Sequence, residues 1–269
     1  MLPNTILNSS CLDSGMLVLE DSSINLVLTD PPYGQNYQSG WNNLEKIQND
    51  DDLTFLDEYF RECYRILKND GCICCFAPSN FELASVFYQY LKKNNFNKIQ
   101  QIIWCKDTDS GMGDLKSAFA PDHENIFFAV KDNFSFNKEV EKRPPSVLHF
   151  KQTAKPQVIG HPTPKPIELL SYLIRVCSNK YDMVFDGFMG SGSTAVAAKM
   201  EERNYLGFEI NQKYHSDSIK RLEYTTINDD GIRYYRPRNA SDKIRKTTKE
   251  YLKNKELEEK EVWEQDIWS

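Results

Sequence analysis

The apolar positions of this chain change their period several times. Ile24 to Thr29, which contains the apolar run Ile24 to Leu28, reads as a strand. Leu53, Leu56, Phe60, Cys63 and Leu67 then recur at helical spacing, with Asp51 or Asp52 placed to cap the start. Gly71 is expected to stop that helix and open a strand, Cys72 to Ala77. Phe81 to Lys92 reads as a helix with Leu83, Val86, Phe87 and Leu91 on its apolar face, and strands follow near Gln101 to Cys105 and Asn125 to Val130. Lys165 to Cys177 is helical after a proline-rich entry. Met183 to Asp186 reads as a short buried strand, Ala195 to Met200 as a helix and Tyr205 to Ile210 as a further strand. Strands alternating with helices predict an α/β fold, doubly wound on a mostly parallel sheet, whose ligands gather at the carboxyl ends of the strands.

Two of those strand ends carry chemistry. Asp30-Pro31-Pro32-Tyr33 follows the first strand. The two prolines fix φ and supply no N–H donor, so the turn is stiff and its carbonyls can accept. An exocyclic amine is a poor nucleophile because its lone pair is delocalised into the ring. The Asp30 carboxylate and the Pro31 carbonyl can each accept one N–H and draw that pair out, while Tyr33 stacks on the ring. The second motif is strand, glycine loop and helix: Asp186 ends its strand, and Gly187-Phe188-Met189-Gly190-Ser191-Gly192-Ser193-Thr194 leads into the helix. Glycines permit a tight bend close to a ligand, and the helix start offers free N–H groups. Glu209, near the end of the next strand, stands where an acidic residue grips ribose hydroxyls. A nicotinamide dinucleotide competes for this loop, since Gly190-x-Gly192-x-x-Ala195 meets its loose fingerprint. A hydride-transfer enzyme has no use for an amine cage, however, whereas a methyl donor and an amine cage explain each other. A plain structural turn is the remaining reading of each motif, and a phosphate loop is excluded because no Gly-Lys-Ser/Thr follows the glycines.

On these residues the chain resembles the β-class of amino-group DNA methyltransferases of bacteria and their phages, in which the catalytic block precedes the cofactor block. Thr29 to Tyr33 matches the catalytic motif and Phe185 to Thr194 the cofactor loop. Tyr59 to Phe76 resembles the helix, turn and strand that follow catalysis. Ile102 to Lys106 with His123 to Phe128 resembles the block that helps hold a flipped base, and His161-Pro162-Thr163-Pro164-Lys165-Pro166 the segment that closes over the methionine end of the cofactor. The resemblance spans Thr5 to Tyr224. It implies a circularly permuted, seven-stranded, Rossmann-like methyltransferase sheet, S-adenosylmethionine as methyl donor, and double-stranded DNA as partner.

The resemblance also implies residue roles. Asp30, Pro31, Pro32 and Tyr33 form the catalytic set. Ser10, Cys11, His161, Pro162, Thr163, Lys165, Asp186, Phe188, Gly190, Ser191, Gly192, Ser193, Thr194, Glu209 and Ile210 form the cofactor set. An Asp at the first motif position usually accompanies N6-adenine chemistry and a Ser N4-cytosine chemistry, so Asp30 favours adenine, with N4-cytosine as the alternative. Relatives that methylate RNA or protein nitrogens usually begin the motif with Asn and place it after the cofactor block. The chain departs from the family pattern in three places. Ser9-Ser10 stands where an acidic residue usually meets the cofactor's adenine, Gly187 where the loop usually has proline, and Ser193 where the cofactor loop often has threonine.

Composition bounds this reading. At 269 residues and 40% hydrophobic content, the chain can bury a full α/β core. No apolar stretch reaches the roughly 20 residues that span a bilayer, and Met1-Leu2-Pro3-Asn4 lacks the start of a secretion signal, so a cytoplasmic location in bacteria is expected. The cysteine count is seven, and Cys72, Cys74 and Cys75 read as buried strand thiols rather than metal ligands. C5-cytosine chemistry would need a nucleophilic Pro-Cys pair, which the chain lacks.

The net charge of −6 argues against a DNA-coating protein. Its distribution is less adverse. Arg233, Arg236, Arg238, Lys243, Arg245, Lys246 and Lys249 cluster beside Tyr234 and Tyr235, a pattern that suits phosphate tracking as well as it suits solvated surface. Acid gathers at Asp50-Asp51-Asp52 and from Glu256 to Asp266. The expected organisation is a catalytic domain at 1–224, with a short target-recognition insert at 131–160, and an extension at 225–269 that contacts DNA or docks a second subunit. The polar, aromatic stretch Gly34 to Asn49 is expected to grip DNA or to close over the cofactor.

Overall fold

The computed structural model describes residues 3–34, 52–106, 117, 119–138, 140, 143–152, 164–223, 225–227 and 233–235. The apolar run near the start forms strand β2 (Ile24–Thr29), buried on both faces. Helix α1 (Phe55–Ile66) buries Leu56, Tyr59, Phe60, Cys63 and Ile66 along one side. Asp52 accepts from the Thr54 backbone N–H at 2.8 Å, just ahead of the first turn. Gly71 does not end this helix. The chain turns extended at Leu67, and β3 runs from Leu67 to Ala77 with Gly71 inside it. A Cβ at Gly71 would lie 3.0 Å from the Asn25 carbonyl oxygen, so the glycine serves close passage of β2, at the register shift between Ile24 and Leu26.

Helix α2 (Phe81–Lys93) is capped by the Asn80 side chain, which accepts from the Leu83 N–H. It is followed by β4 (Asn97–Cys105) and β5 (His123–Val130), both longer than their apolar runs because the hairpin pairing extends them. Helix α3 (Ile167–Cys177), strand β7 (Met183–Asp186), helix α4 (Ser193–Met200), strand β8 (Asn204–Phe208) and helix α5 (Gln212–Glu223) complete the frame.

Eight strands form the main sheet in the order β1-β8-β7-β2-β3-β5-β4-β6, where β1 is Thr5–Leu7 and β6 is Val147–His149, while β9 (Thr225–Ile227) and β10 (Arg233–Tyr235) pair separately as an antiparallel ribbon. The main sheet has one strand more than the seven expected, because β6 adds in parallel to the outer edge of β4. Within it only β5 runs against its neighbours. Alternate side chains of β3 feed two cores. Cys72, Cys74 and Phe76 pack with α3 and α4 on one face, while Ile73, Cys75 and Ala77 pack with α1 and α2 on the other. The result is a three-layer, doubly wound α/β fold.

This topology positions the site. β2 pairs in parallel with β7, so Asp30 and Asp186 emerge at the same edge of the sheet. Lys106, after β4, and Glu124, at the start of antiparallel β5, lie on that edge as well.

Candidate active site

The two motifs are joined by hydrogen bonds at the strand ends. The Thr29 hydroxyl donates to Asp186 Oδ1 at 3.0 Å, and the Tyr59 hydroxyl donates to Thr29 Oγ1 at 2.9 Å. The Phe188 N–H also reaches Asp186 Oδ1, at 3.0 Å, and Thr194 hydrogen-bonds the same carboxylate. Burial nevertheless dominates and pushes the Asp186 carboxyl up to about 6, with nearby Asp30 adding to the rise. Tyr59 also accounts for Gly187, since a Cβ there would come within 2.6 Å of the tyrosine ring. The Phe188 ring lies edge-on to Tyr59 at 4.9 Å and closes this corner.

The glycine loop is built by φ and then pinned. Gly190 and Gly192 take positive φ, at 50° and 76°, which side-chain-bearing residues rarely adopt. Gly192 also packs so closely on α5 that a Cβ would sit 2.8 Å from Ser218 Cβ. Buried Arg221 reaches back from α5 and donates to the Ser191 carbonyl, Ser191 Oγ and Ser193 Oγ at 3.1, 2.9 and 2.8 Å. Glu209 stands just beyond β8. Its carboxylate accepts from the Gly190 N–H and the Asn211 N–H, both at 2.7 Å, and so clasps the loop it was expected to face. Ser10 Oγ accepts from the Leu12 and Asp13 N–H groups. Cys11 is buried, its thiol pushed up to about 12 mainly by that burial, with Asp186 and Glu209 among the charges that act on it. Ile210 is half exposed at the rim.

Asp30 is already engaged. The Tyr33 hydroxyl donates to its Oδ1 at 2.7 Å and Lys165 Nζ to its Oδ2 at 2.6 Å. Lys165 also lies 3.2 Å from Glu124 Oε2, and Lys106 lies 3.0 Å from Glu124 Oε1. Tyr33 OH is 3.2 Å from Glu124 Oε2, and its ring meets Phe87 edge-on at 6.3 Å. Burial raises the Asp30 carboxyl against the pull of Lys165. Burial works to raise Glu124 too, but Lys165 and Lys106 together hold it below the usual carboxylate range. Lys165 stays charged, since Asp30 and Glu124 outweigh the effect of its burial.

Most of the expected site therefore gathers at one edge. Lys165, expected over the cofactor, is hydrogen-bonded to the Asp30 carboxylate. His161, Pro162 and Thr163 lie outside the described residues, as do residues 35–51 and the basic run beyond Tyr235. The sequence assigns no role of their own to Tyr59 and Arg221, whereas Lys106 and Glu124 fall within the stretches that resemble the block that helps hold a flipped base. Lys106 and Glu124 carried a signal, because each falls at a strand end on the ligand edge.

The chain matches a family model for N6/N4 methyltransferases, described as DNA methylase, over residues 24–221, and it belongs to that family. It is 29% identical over 266 residues to the type II methyltransferase M1.MboII of Moraxella bovis, covering 84% of this chain and 98% of that protein. To the DNA adenine methyltransferase YhdJ of Escherichia coli it is 28% identical over 233 residues, covering 75% and 76%. Among solved structures, the M1.HpyAVI–SAM complex aligns with a TM-score of 0.60 at 26% identity, covering 81% of this chain and 99% of that one. The cytosine-N4-specific PvuII DNA methyltransferase aligns with a TM-score of 0.65 at 19% identity over 91% and 93%, a likeness of fold alone. The family acts on DNA with S-adenosylmethionine as methyl donor. No described helix is long and apolar enough to cross a membrane.

The residues present fit that donor. Asp186 is buried, its carboxyl is raised, and no cation pairs with it among the described residues. A ligand with a sulfonium and an ammonium near that carboxylate would supply the missing positive charge.

Proposed function

We propose that this chain methylates the N6 amine of an adenine rotated out of duplex DNA. The observation that carries the reading is the junction of the two motifs: Asp30 and Asp186 end adjacent parallel strands, and Thr29 hydrogen-bonds across them. S-adenosylmethionine supplies an electrophilic methyl group when bound. Asp186, Phe188, the loop from Gly190 to Thr194 and Glu209 hold it, with Ser10, Cys11 and Ile210 at its margin, and His161, Pro162 and Thr163 are assigned to it on the resemblance alone. Asp30 and the Pro31 carbonyl accept from the target amine, orient its lone pair and offer a place for the departing proton. Pro32 stiffens the turn, and Tyr33 packs on the base.

Residues 131–160, an insert within the catalytic domain of 1–224, are assigned to target recognition, and the extension at 225–269 with its basic run from Arg233 to DNA contact or to pairing two copies of the chain. The work is done in the bacterial cytoplasm. Purified protein incubated with unmethylated DNA and labelled S-adenosylmethionine, followed by mass spectrometry of the nucleosides, tests the base. 6-Methyladenine is expected. 4-Methylcytosine would replace the adenine reading with cytosine, and label found in RNA or protein would overturn it.

A further inference from the structure

The Asp30 carboxylate is occupied by the protein's own donors. Tyr33 takes Oδ1, and the Lys165 ammonium takes Oδ2 at 2.6 Å. A nitrogen donor there sits where an exocyclic amine N–H would have to arrive. Lys165 has a second acceptor within reach, Glu124 Oε2 at 3.2 Å, and Lys106 at 3.0 Å completes an alternating row of carboxylate, ammonium, carboxylate and ammonium. The inner members are well shielded, with side-chain exposures of 9% for Lys165 and 16% for Glu124, so neither can be left without a partner cheaply. A lysine on a flexible stem, with three donors, can pass from one carboxylate to the next without leaving the row.

Taking Asp30 as the amine acceptor, on which this inference rests, we propose that Lys165 is the resting occupant of the amine's seat and that Glu124 receives it when the target base enters. Lys165 and Glu124 are then positioning residues for methyl transfer, not cofactor ligands. The alternative expected from sequence, that Lys165 holds the methionine end of the cofactor, would require its ammonium to desert two carboxylates for a third. The charges around Asp30 explain why the occupant is a cation. Tyr33 faces it from its own turn, Cys75 from β3, Glu124 from β5, Asp186 from β7 and Lys165 from the approach to α3. Among these described groups Lys165 alone is positive. Removing it leaves Asp30 among like charges, where the carboxyl binds a proton more readily.

The test uses the full chain and the DNA that the wild type methylates. Single-turnover methyl transfer is followed across pH, S-adenosylmethionine affinity is measured by calorimetry, and 2-aminopurine fluorescence at the target position reports base entry. For Lys165→Met we expect cofactor affinity within about twofold of wild type, while the acid limb of the rate profile moves up by about one pH unit or more. Lys165→Arg should restore the limb. Glu124→Gln should lower the 2-aminopurine signal and raise the DNA concentration needed for half-maximal rate, because Lys165 loses its second seat. An acid limb unmoved in Lys165→Met, joined to cofactor affinity lowered about tenfold, would make Lys165 a cofactor ligand and overturn the proposal. If Lys165→Met does not fold, Lys165→Gln in the same assays decides. Wild-type protein that forms no 6-methyladenine would instead sink the functional reading, an outcome distinct from any change among the variants.

Discussion

Thr29 Oγ1 donates to Asp186 Oδ1 at 3.0 Å, across 157 residues of chain. Thr29 immediately precedes Asp30, the proposed amine acceptor, and Asp186 opens the loop proposed to hold the donor, so under that proposal one hydroxyl sets the spacing between the two. Misplacement of reacting groups by even about 1 Å can cost a hundredfold in rate. Thr29→Val should keep the fold and cofactor binding while lowering the single-turnover rate by about tenfold or more. An unchanged rate would remove this bond from the alignment of the two sites.

The raised Asp186 carboxyl has a pH signature. Its value in the fold, about 6, lies above the ordinary 3.8 because burial favours the neutral form. The stability it contributes is therefore full below 3.8 and is lost as pH rises through about 6. Without cofactor, Asp186→Asn should melt higher than wild type at pH 8, and the gap should close on acidification. Cofactor affinity of the wild type should fall by up to about tenfold per pH unit below that value, since a proton competes with a cationic ligand. Calorimetry of wild type and Asp186→Asn across the range checks this, and a wild-type affinity that ignores pH would remove Asp186 as the charge partner.

Asp30→Ala should retain cofactor affinity but lower methyl transfer by at least about 10²–10³-fold, the scale for losing a group that acts on developing charge. Near-normal turnover in that variant would contradict the role given to Asp30.

Glu209 holds two backbone N–H groups, and the proposal gives it the ribose as well. Glu209→Ala should lower both stability, by about 1–3 kcal/mol for the abandoned donors, and cofactor affinity. Thermal melting and calorimetry separate the two effects, and unchanged affinity would leave Glu209 as a loop clasp only.

Gly192→Ala combines a positive φ with a Cβ 2.8 Å from Ser218 Cβ. A loss of about 1–3 kcal/mol in unfolding free energy is expected, together with weaker cofactor binding. Restoration of the melting temperature by Ser218→Gly in the same chain would locate the clash.

The strands and helices were legible in the sequence because β2, α1 and α3 are written in apolar period, and burial enforces that period. The start of β3 was not, because Gly71 was read as a helix stop when its role is to let β2 pass close by, a tertiary relation without a local pattern. β6 is three residues held by the edge of β4, too short for any period to register. The catalytic turn and glycine loop were legible because their backbone geometry demands proline and glycine. Tyr59 and Arg221 were not, because a tyrosine and an arginine on amphipathic helices look like ordinary surface until the fold turns them inward. The Lys165–Asp30 contact has no local pattern, since position in the sequence says little about which carboxylate an ammonium on a long stem will find.

The parallel pairing of β1 with β8 ties Leu7 to Phe208. During synthesis the first strand leaves the ribosome long before its partner exists, and β2 likewise waits for β7 on one side. Contacts of such separation form late and slowly, so nascent chains halted before Met183 would carry both β1 and β2 with open edges, the condition in which chains adhere to one another. Yield from cells should therefore respond to chaperone supply and growth temperature more steeply than the stability of the finished enzyme would indicate.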